Sequence, residues 1–271
     1  MATGLPQVST VSALSIITVW GSNFSTEAIL NPTLDENGDL DTTLGGVCVE
    51  IGGERSPIYA VTPNQINIQT PATPTLGPVS VVVITECDTA AQALNPATNI
   101  QALSPVGRAI RSEVAMVTVE EATPGFFLFT LADGGLIAAR FNATPSQAPV
   151  PVAPADLFPN DDFGPSRPAM PGDILLLYGT GWGPTTADLG TGELAPDAAQ
   201  VLPEANPMVT FGGVPMAAED VFYVGVTPGT AGLFQLAIRV PAGAVAGNNQ
   251  VVLTVYGKST PTGPVIPVGA P

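Results

Sequence analysis

The chain repeats itself once, in order, over most of its length. Ile17-Thr18-Val19-Trp20-Gly21-Ser22-Asn23-Phe24 is followed by Gly52-Gly53, by Thr62-Pro63, and by Gln65-Ile66-Asn67-Ile68-Gln69-Thr70-Pro71. The second copy runs Leu175-Leu176-Leu177-Tyr178-Gly179-Thr180-Gly181-Trp182, Gly212-Gly213, Thr227-Pro228, and Gln235-Leu236-Ala237-Ile238-Arg239-Val240-Pro241. The spacing between copies is 158 at Gly21/Gly179, 160 at Gly52/Gly212, 165 at Pro63/Pro228 and 170 at Gln65/Gln235. Conserved order with slow drift describes a duplicated domain with loop insertions, not a short-period solenoid.

Each copy reads as short strands. Val8–Trp20 is rich in β-prone residues, Val47–Ile51 alternates and ends in Gly52-Gly53, and Pro57–Val61 continues the hairpin. Gln65–Thr70 alternates polar residues with Ile66 and Ile68, Val79–Thr85 is nearly all apolar, and Arg111–Glu121 alternates again. Asp88–Leu94 and Ala195–Val201 are the best helix candidates, and both are short. Between the copies, Phe126–Leu131 and Leu136–Phe141 flank Asp133-Gly134-Gly135 as a hairpin. Pro145 to Pro171 then carries eight prolines, an extended and stiff stretch.

About seven strands per copy without interleaved helices predicts an all-β fold: two tandem immunoglobulin-like β-sandwiches joined by a β-hairpin and a Pro-rich connector. The expected boundaries are 1–122 for the first sandwich, 123–169 for the hairpin and connector, and 170–271 for the second sandwich.

The repeated residues resemble a family. Apolar-Tyr/Trp-Gly-Thr/Ser-Gly/Asn-Trp/Phe, then Val-x-Ile/Phe-Gly-Gly, then Thr-Pro before an alternating Gln-led strand ending in Pro, is similar to the IPT/TIG class of immunoglobulin-like domains. The tandem is similar to the β-sandwich module at the C-terminal end of large secreted bacterial proteins. Ala122-Thr123-Pro124-Gly125-Phe126-Phe127 and Met170-Pro171-Gly172-Asp173 fit that module too. The resemblance implies a non-catalytic extracellular or cell-surface protein, with the export signal absent from this chain. The paired cysteines and the acidic loop at Asp35 depart from the family pattern.

Composition narrows the chemistry. Histidine is absent, which excludes Ser-His-Asp and Cys-His nucleophile systems and His-ligated zinc. Gly179-Thr180-Gly181 leads into Trp182-Gly183-Pro184, not a phosphate-binding helix. A net charge of −16, with Lys258 the only lysine, argues against nucleic acid and anionic membranes as partners. No apolar run reaches the roughly 18 residues of a membrane span. Glu120-Glu121 and Asp161-Asp162 are adjacent carboxylates that would point apart on a strand. The expectation is therefore that the chain is not an enzyme and carries no cofactor.

Two sets of candidate site residues remain. Cys48 and Cys87 are the only cysteines; both lie in the first copy, on strands that can neighbour each other, and they suit a disulfide. Asp35, Asn37, Asp39 and Asp41 alternate oxygen ligands around Gly38 like the start of a calcium loop, but Gly46 stands where a bidentate Glu would be required. The alternative for that loop is a plain Asn-Gly turn. Asn23-Phe24-Ser25 and Asn142-Ala143-Thr144 match a glycosylation sequon. Trp20 pairs with Tyr178 and Phe24 with Trp182 in the repeat, and all four are expected in the core or at a sandwich end. The expected partners are other copies or other extracellular proteins. Self-assembly into fibres would proceed by strand addition from Met1–Val11 or, less well, from Thr260–Pro271. The alternative is a carbohydrate-binding or spacer module of a larger secreted enzyme.

Overall fold

The computed structural model of the protein describes residues 10–72, 74–87, 109–131, 134–144 and 146–270. The helix candidate Asp88–Leu94, Asp133 of the hairpin and Met1–Ser9 lie outside these residues. The chain divides into two compact units, Met1–Glu120 with Leu189–Leu194, and Glu121–Asp188 with Ala195–Pro271. The structure is all-β, and each unit is an immunoglobulin-like sandwich.

Unit one holds β1 (Thr10–Val11), β2 (Ile16–Trp20), β3 (Val47–Ile51), β4 (Glu54–Ser56), β5 (Ile58–Val61), β6 (Gln65–Gln69), β7 (Gly77–Thr85), β8 (Ile110–Arg111) and β9 (Ala115–Val119). One sheet has the order β1-β9-β7-β3-β4 with β8 beside β7, and the other is β2-β6-β5. Alternation decides the core: Val47, Val49, Ile51, Val79, Val81 and Val83 meet Ile58, Val61, Ile66 and Ile68 between the sheets.

Unit two holds β10 (Gly125–Phe126), β11 (Leu128–Thr130), β12 (Leu136–Ile137), β13 (Ala139–Phe141), β14 (Ile174–Thr180), β15 (Ala199–Gln200), β16 (Met208–Phe211), β17 (Val214–Pro215), β18 (Val221–Val226), β19 (Phe234–Arg239), β20 (Gly247–Val255), β21 (Lys258–Ser259) and β22 (Val265–Val268). Its sheets run β10-β14-β19-β18-β15, with β13 also on β14, and β11-β12-β22-β20-β16-β17, with β21 on β20. Leu175, Leu177, Leu236 and Ile238 pack against Val209, Phe211, Val251 and Leu253, with Trp182 and Phe141 fully enclosed.

The duplication holds at the level of single pairings. Ile16 faces Gln69 as Ile174 faces Arg239, and Ile51 faces Val81 as Phe211 faces Val251. Both hairpin turns are a Gly-Gly pair with φ of 61° and 88°, then 59° and 82°, values a β-carbon would disfavour and a type I′ turn requires. Even an irregularity is copied: the register slips between Ile58 and Ala60, and at the corresponding Val221 and Tyr223. The spacing falls from 170 at Gly77/Gly247 to 149 at their partners Val119/Val268. The first copy therefore carries 21 extra residues between those strands, beginning near Cys87.

Three expectations need correction. Ala195–Val201 is not helical: Ala199–Gln200 is an edge strand on β18, because Pro196 and Pro203 bracket a stretch too short to nucleate a helix. Thr260–Pro271 does not trail the second sandwich, since β22 is its last strand and lies between β12 and β20. Residues 123–169 are not a free connector. As read, β11 and β12 form a hairpin, but β10 and β13 pair with β14, and the whole stretch belongs to unit two.

Candidate functional site

The repeated Gly-x-x-aromatic motif explains itself at each sandwich end. The chain turns three residues after the glycine and lays the aromatic ring back over it. A β-carbon on Gly21 would collide with Cζ of Phe24, and one on Gly179 would stand 2.6 Å from Cζ2 of Trp182. Trp182 is fully buried between Phe126 and Phe234, with ring centroids at 6.0 and 5.5 Å. Trp20 differs from its expected burial: it is 62% exposed at the end of β2. The reason lies one strand over. Its counterpart Tyr178 is covered at the edge, where its N–H donates to Ala138 and its carbonyl accepts from Phe127. No described strand lies on that edge of β2.

The acidic loop closes on itself. Leu34 and Leu40 form an antiparallel bridge, and between them the Asp35 Oδ1 accepts the N–H of Asn37 at 2.8 Å and of Asp39 at 3.1 Å. The backbone N–H groups of Asp39 and Asn37 hold the Asp35 carboxyl below the usual carboxylate range. Asp41 turns away, its Oδ1 accepting the N–H of Thr43 at 3.0 Å. The loop's polar atoms serve as Asx-turn caps. Among the described residues no group of three or more acidic, Cys or His side chains converges as a metal site.

Cys48 and Cys87 come together with a Cα separation of 6.1 Å, inside the span a disulfide needs. Cys48 is fully buried on the face of β3 that points away from the core. Glu50, on the same face, is held between Arg55 (3.2 Å) and Arg111. Glu50 therefore forms cross-strand ion pairs on the outer face of this sheet.

The carboxylate pairs do not meet as an acid–base couple. Asp161 is instead clasped by Arg140 through two bonds, 3.0 and 2.8 Å, which hold its carboxyl below the usual range. Arg140 also donates to the carbonyl of Pro149 at 2.8 Å. Arg167 pairs with Asp173 at 3.1 Å and lies 3.7 Å over the Phe141 ring. These arginines fasten the proline-rich stretch to unit two, which the sequence pattern did not reveal. The signal was an Asp-Asp pair within a stretch otherwise nearly devoid of charge.

A second feature escaped the sequence reading. In each unit the last strand has a parallel neighbour: β1 lies beside β9 in unit one, and Ala169 bridges β22 in unit two. Val11 pairs with Val119 and its carbonyl accepts the N–H of Glu120 at 2.8 Å. Ala169, its counterpart at the 158-residue spacing, bridges Val268 in parallel and accepts the N–H of Gly269 at 2.8 Å. A third is the segment Leu189–Leu194, which folds as part of unit one. Gly192 donates to Gln69 Oε1 at 2.8 Å and accepts from Leu40 at 2.8 Å, and Thr191 accepts the N–H of Ala72 at 2.9 Å.

The strand order of unit one, its Gly-Gly hairpin and its Gly-x-x-aromatic end agree with a family profile described as the IPT/TIG domain, which matches residues 5–98. The first unit carries an IPT/TIG domain. The register of this IPT/TIG domain recurs in the second unit. Solved structures that match include SGBP-B of the Bacteroides ovatus mixed-linkage glucan utilization locus, in complex with a mixed-linkage heptasaccharide. That match has 10% identity and a TM-score of 0.25, and covers 96% of this chain and 42% of that one. A titin immunoglobulin tandem matches with 11% identity, coverage of 96% and 90%, and a TM-score of 0.22. Domains 5–6 of the S-layer protein SbsC match with 10% identity, coverage of 96% and 91%, and a TM-score of 0.23. This chain thus spans less than half of SGBP-B, and scores this low bear on no function. No curated protein sequence matches the chain.

Proposed function

We propose that the chain is a non-catalytic structural module that works outside the cell and bears load between the parts it joins. The carrying observation is the bond repeated in both units, from Glu120 to Val11 and from Gly269 to Ala169. When unit one is pulled by its ends, its parallel first and last strands slide past each other. Their bonds are then loaded together in shear, not opened one at a time. The Cys48–Cys87 pair supports an oxidising compartment.

Sugar binding draws less support. The exposed aromatic rings do not form a row: Trp20 stands apart in unit one, and in unit two Phe163 and Phe222 each lie beneath an arginine. Fibre growth draws less support, since Thr10–Val11 and Val265–Val268 pair within their own sheets, while Met1–Ser9 lies outside the described residues. The test is to pull the full chain by its ends in optical tweezers and to screen it on a glycan array. An abrupt high-force rupture of unit one and no glycan binding are expected. Gradual low-force extension, or specific glycan binding, overturns the reading.

A further inference from the structure

We infer that the loop between Pro154 and Ser166 of unit two is a docking surface for another protein, for a segment in which bulky apolar side chains are flanked by lysine or arginine. The inference does not depend on the load-bearing reading.

The loop is closed and held at its base. Val152 and Arg167 form a parallel bridge, and Ala153 donates its N–H to the Arg167 carbonyl at 3.1 Å. Buried Ser166 ties the two flanks together. Its Oγ accepts the N–H of Phe158 at 3.0 Å and donates to the Pro154 carbonyl at 2.9 Å. Further along, Asp161 Oδ1 accepts the N–H of Phe163 at 3.1 Å, while Arg140 clasps the same carboxylate. The Phe158 ring rests on Phe129, with centroids 5.0 Å apart. A compact loop of this length with joined ends is an Ω-loop, a form often used for recognition. Asp156 takes a φ of 61°, sparsely populated for a residue with a side chain. It is kept there inside the turn that Leu157 closes by donating to the Pro154 carbonyl at 3.2 Å.

What this rigid frame displays is apolar. Leu157 is 45% exposed and Phe163 is 55% exposed. Leu157, Phe158, Pro159, Asn160 and Asp161 line a cavity of about 300 Å³, at the small end of ligand-sized pockets. Covering these side chains requires little further ordering, because the loop is already fixed. The charge around them has one sign. Asp156 and Asp162 are exposed, and neither carboxylate has an ion pair or hydrogen bond among the described residues. Arg140 is committed to Asp161 and to the Phe163 ring. An apolar centre inside an acidic rim is complemented by an apolar segment flanked by cations. A second copy of this chain is a poor source of one. Its Arg55, Arg111, Arg140, Arg167 and Arg239 are already engaged with Glu50, Asp161, Asp173 and Asp220. An anionic bilayer would be repelled by the same rim. The occupant is therefore a different protein with a basic surface.

The probe is the synthetic peptide Gly-Lys-Leu-Phe-Lys-Gly, titrated into the isotope-labelled full-length protein and followed by amide NMR. Saturable shifts at Leu157, Asn160 and Phe163, confined to this loop, are expected. Binding should weaken about tenfold or more when salt is raised to about 1 M, where screening acts over about 3 Å. Asp156→Asn combined with Asp162→Asn should weaken it about tenfold as well, since asparagine tolerates the backbone at 156 and only the charge is lost. Leu157→Ser combined with Phe163→Ser should abolish it. Two control peptides, Gly-Gln-Leu-Phe-Gln-Gly and Gly-Lys-Ser-Ser-Lys-Gly, should each bind about tenfold more weakly or not at all. They keep the test decisive if a variant fails to fold. No loop shift at millimolar peptide, or equal binding by either control peptide, overturns the inference. So does a wild-type dimer, or binding to anionic vesicles, that the double serine variant removes, since a second copy or a bilayer would then be the occupant.

Discussion

Replacing Gly179 with Ala should unsettle unit two far more than replacing Gly21 with Ala unsettles unit one, although the two glycines are the same motif position. At Gly179 the new methyl would collide with the carbonyl oxygen of Gly125 and stand 2.6 and 3.0 Å from two atoms of the Trp182 ring. Neither neighbour can yield. Gly125 is fixed by the pairing of β10 with β14, and Trp182 is fully enclosed. Overpacking of this kind costs about 1–3 kcal/mol, and the immobile neighbours put it at the upper end. At Gly21 the atoms nearest the methyl all belong to the Phe24 ring, a half-buried side chain at the sandwich end that can swing aside. Removing a glycine also lowers the entropy of the unfolded chain, which returns roughly 0.5–1 kcal/mol. The net expectation is about 2 kcal/mol lost for Gly179→Ala and about 0.5 kcal/mol or less for Gly21→Ala. Guanidinium unfolding followed by Trp182 emission reads unit two, and amide exchange at Ile66 and Ile68 reads unit one. Equal losses at both positions would refute the reasoning, as would a Gly179→Ala protein in which Trp182 keeps its native emission.

Three further outcomes are expected. Converting both Cys48 and Cys87 to Ala opens a bridge with a sequence separation of 39 and should cost unit one about 4 kcal/mol by chain entropy; two titratable thiols in the unreduced, unfolded protein would contradict this. Gly192 has φ of +84° and a β-carbon there would lie 2.8 Å from the Leu40 carbonyl oxygen, so Gly192→Val should destabilise unit one by at least about 2 kcal/mol. Unchanged amide exchange in β6 of that variant would show that the segment matters little. Arg140 depresses the Asp161 carboxyl in the folded state, so this pair stabilises the protein above the ordinary carboxylate pKa and the contribution fades as pH falls through the lowered value. Thermal melts between about pH 2 and 5 should show a shallower acid limb for Asp161→Asn, and an identical limb would remove the pair from the account.

How much of this was legible in the sequence depends on the range of the interaction. Alternation at Gln65–Gln69 and the Gly-Gly turns are set by nearest neighbours in the chain, so the strands and both hairpins could be read directly. Duplication then supplied the pairing, since a register used twice must serve both sets of residues. What could not be read was pairing between segments far apart. Thr10–Val11 against Thr118–Val119 is parallel, joins opposite ends of the unit, and leaves no periodic trace in a strand of two residues. Lacking that partner, the terminal segments looked free to donate to a neighbour. The same blindness accounts for the acidic loop and the cysteines. The spacing of Asp35, Asn37 and Asp39 suits a cation and a turn equally, and the backbone N–H groups of Asn37 and Asp39 favour the turn. The approach of Cys48 to Cys87, by contrast, follows from β3 lying directly beside β7, a neighbour relation the paired strands already implied.

The contrast between Trp20 and Tyr178 carries the argument furthest. Alternation says which face of a strand is apolar, but not whether the strand's edge is covered. β2 and β14 keep the same register over five pairs, with equivalent partner strands and the same apolar face. They differ because β10 and β13 of unit two lie along β14, whereas no described strand lies along that edge of β2. A duplicated fold can therefore preserve every core contact and still diverge in function, since the divergence lies in what each sheet edge meets. In this protein the described residues of the two copies part most clearly at Trp20, which is 62% exposed, and Tyr178, which is half-buried.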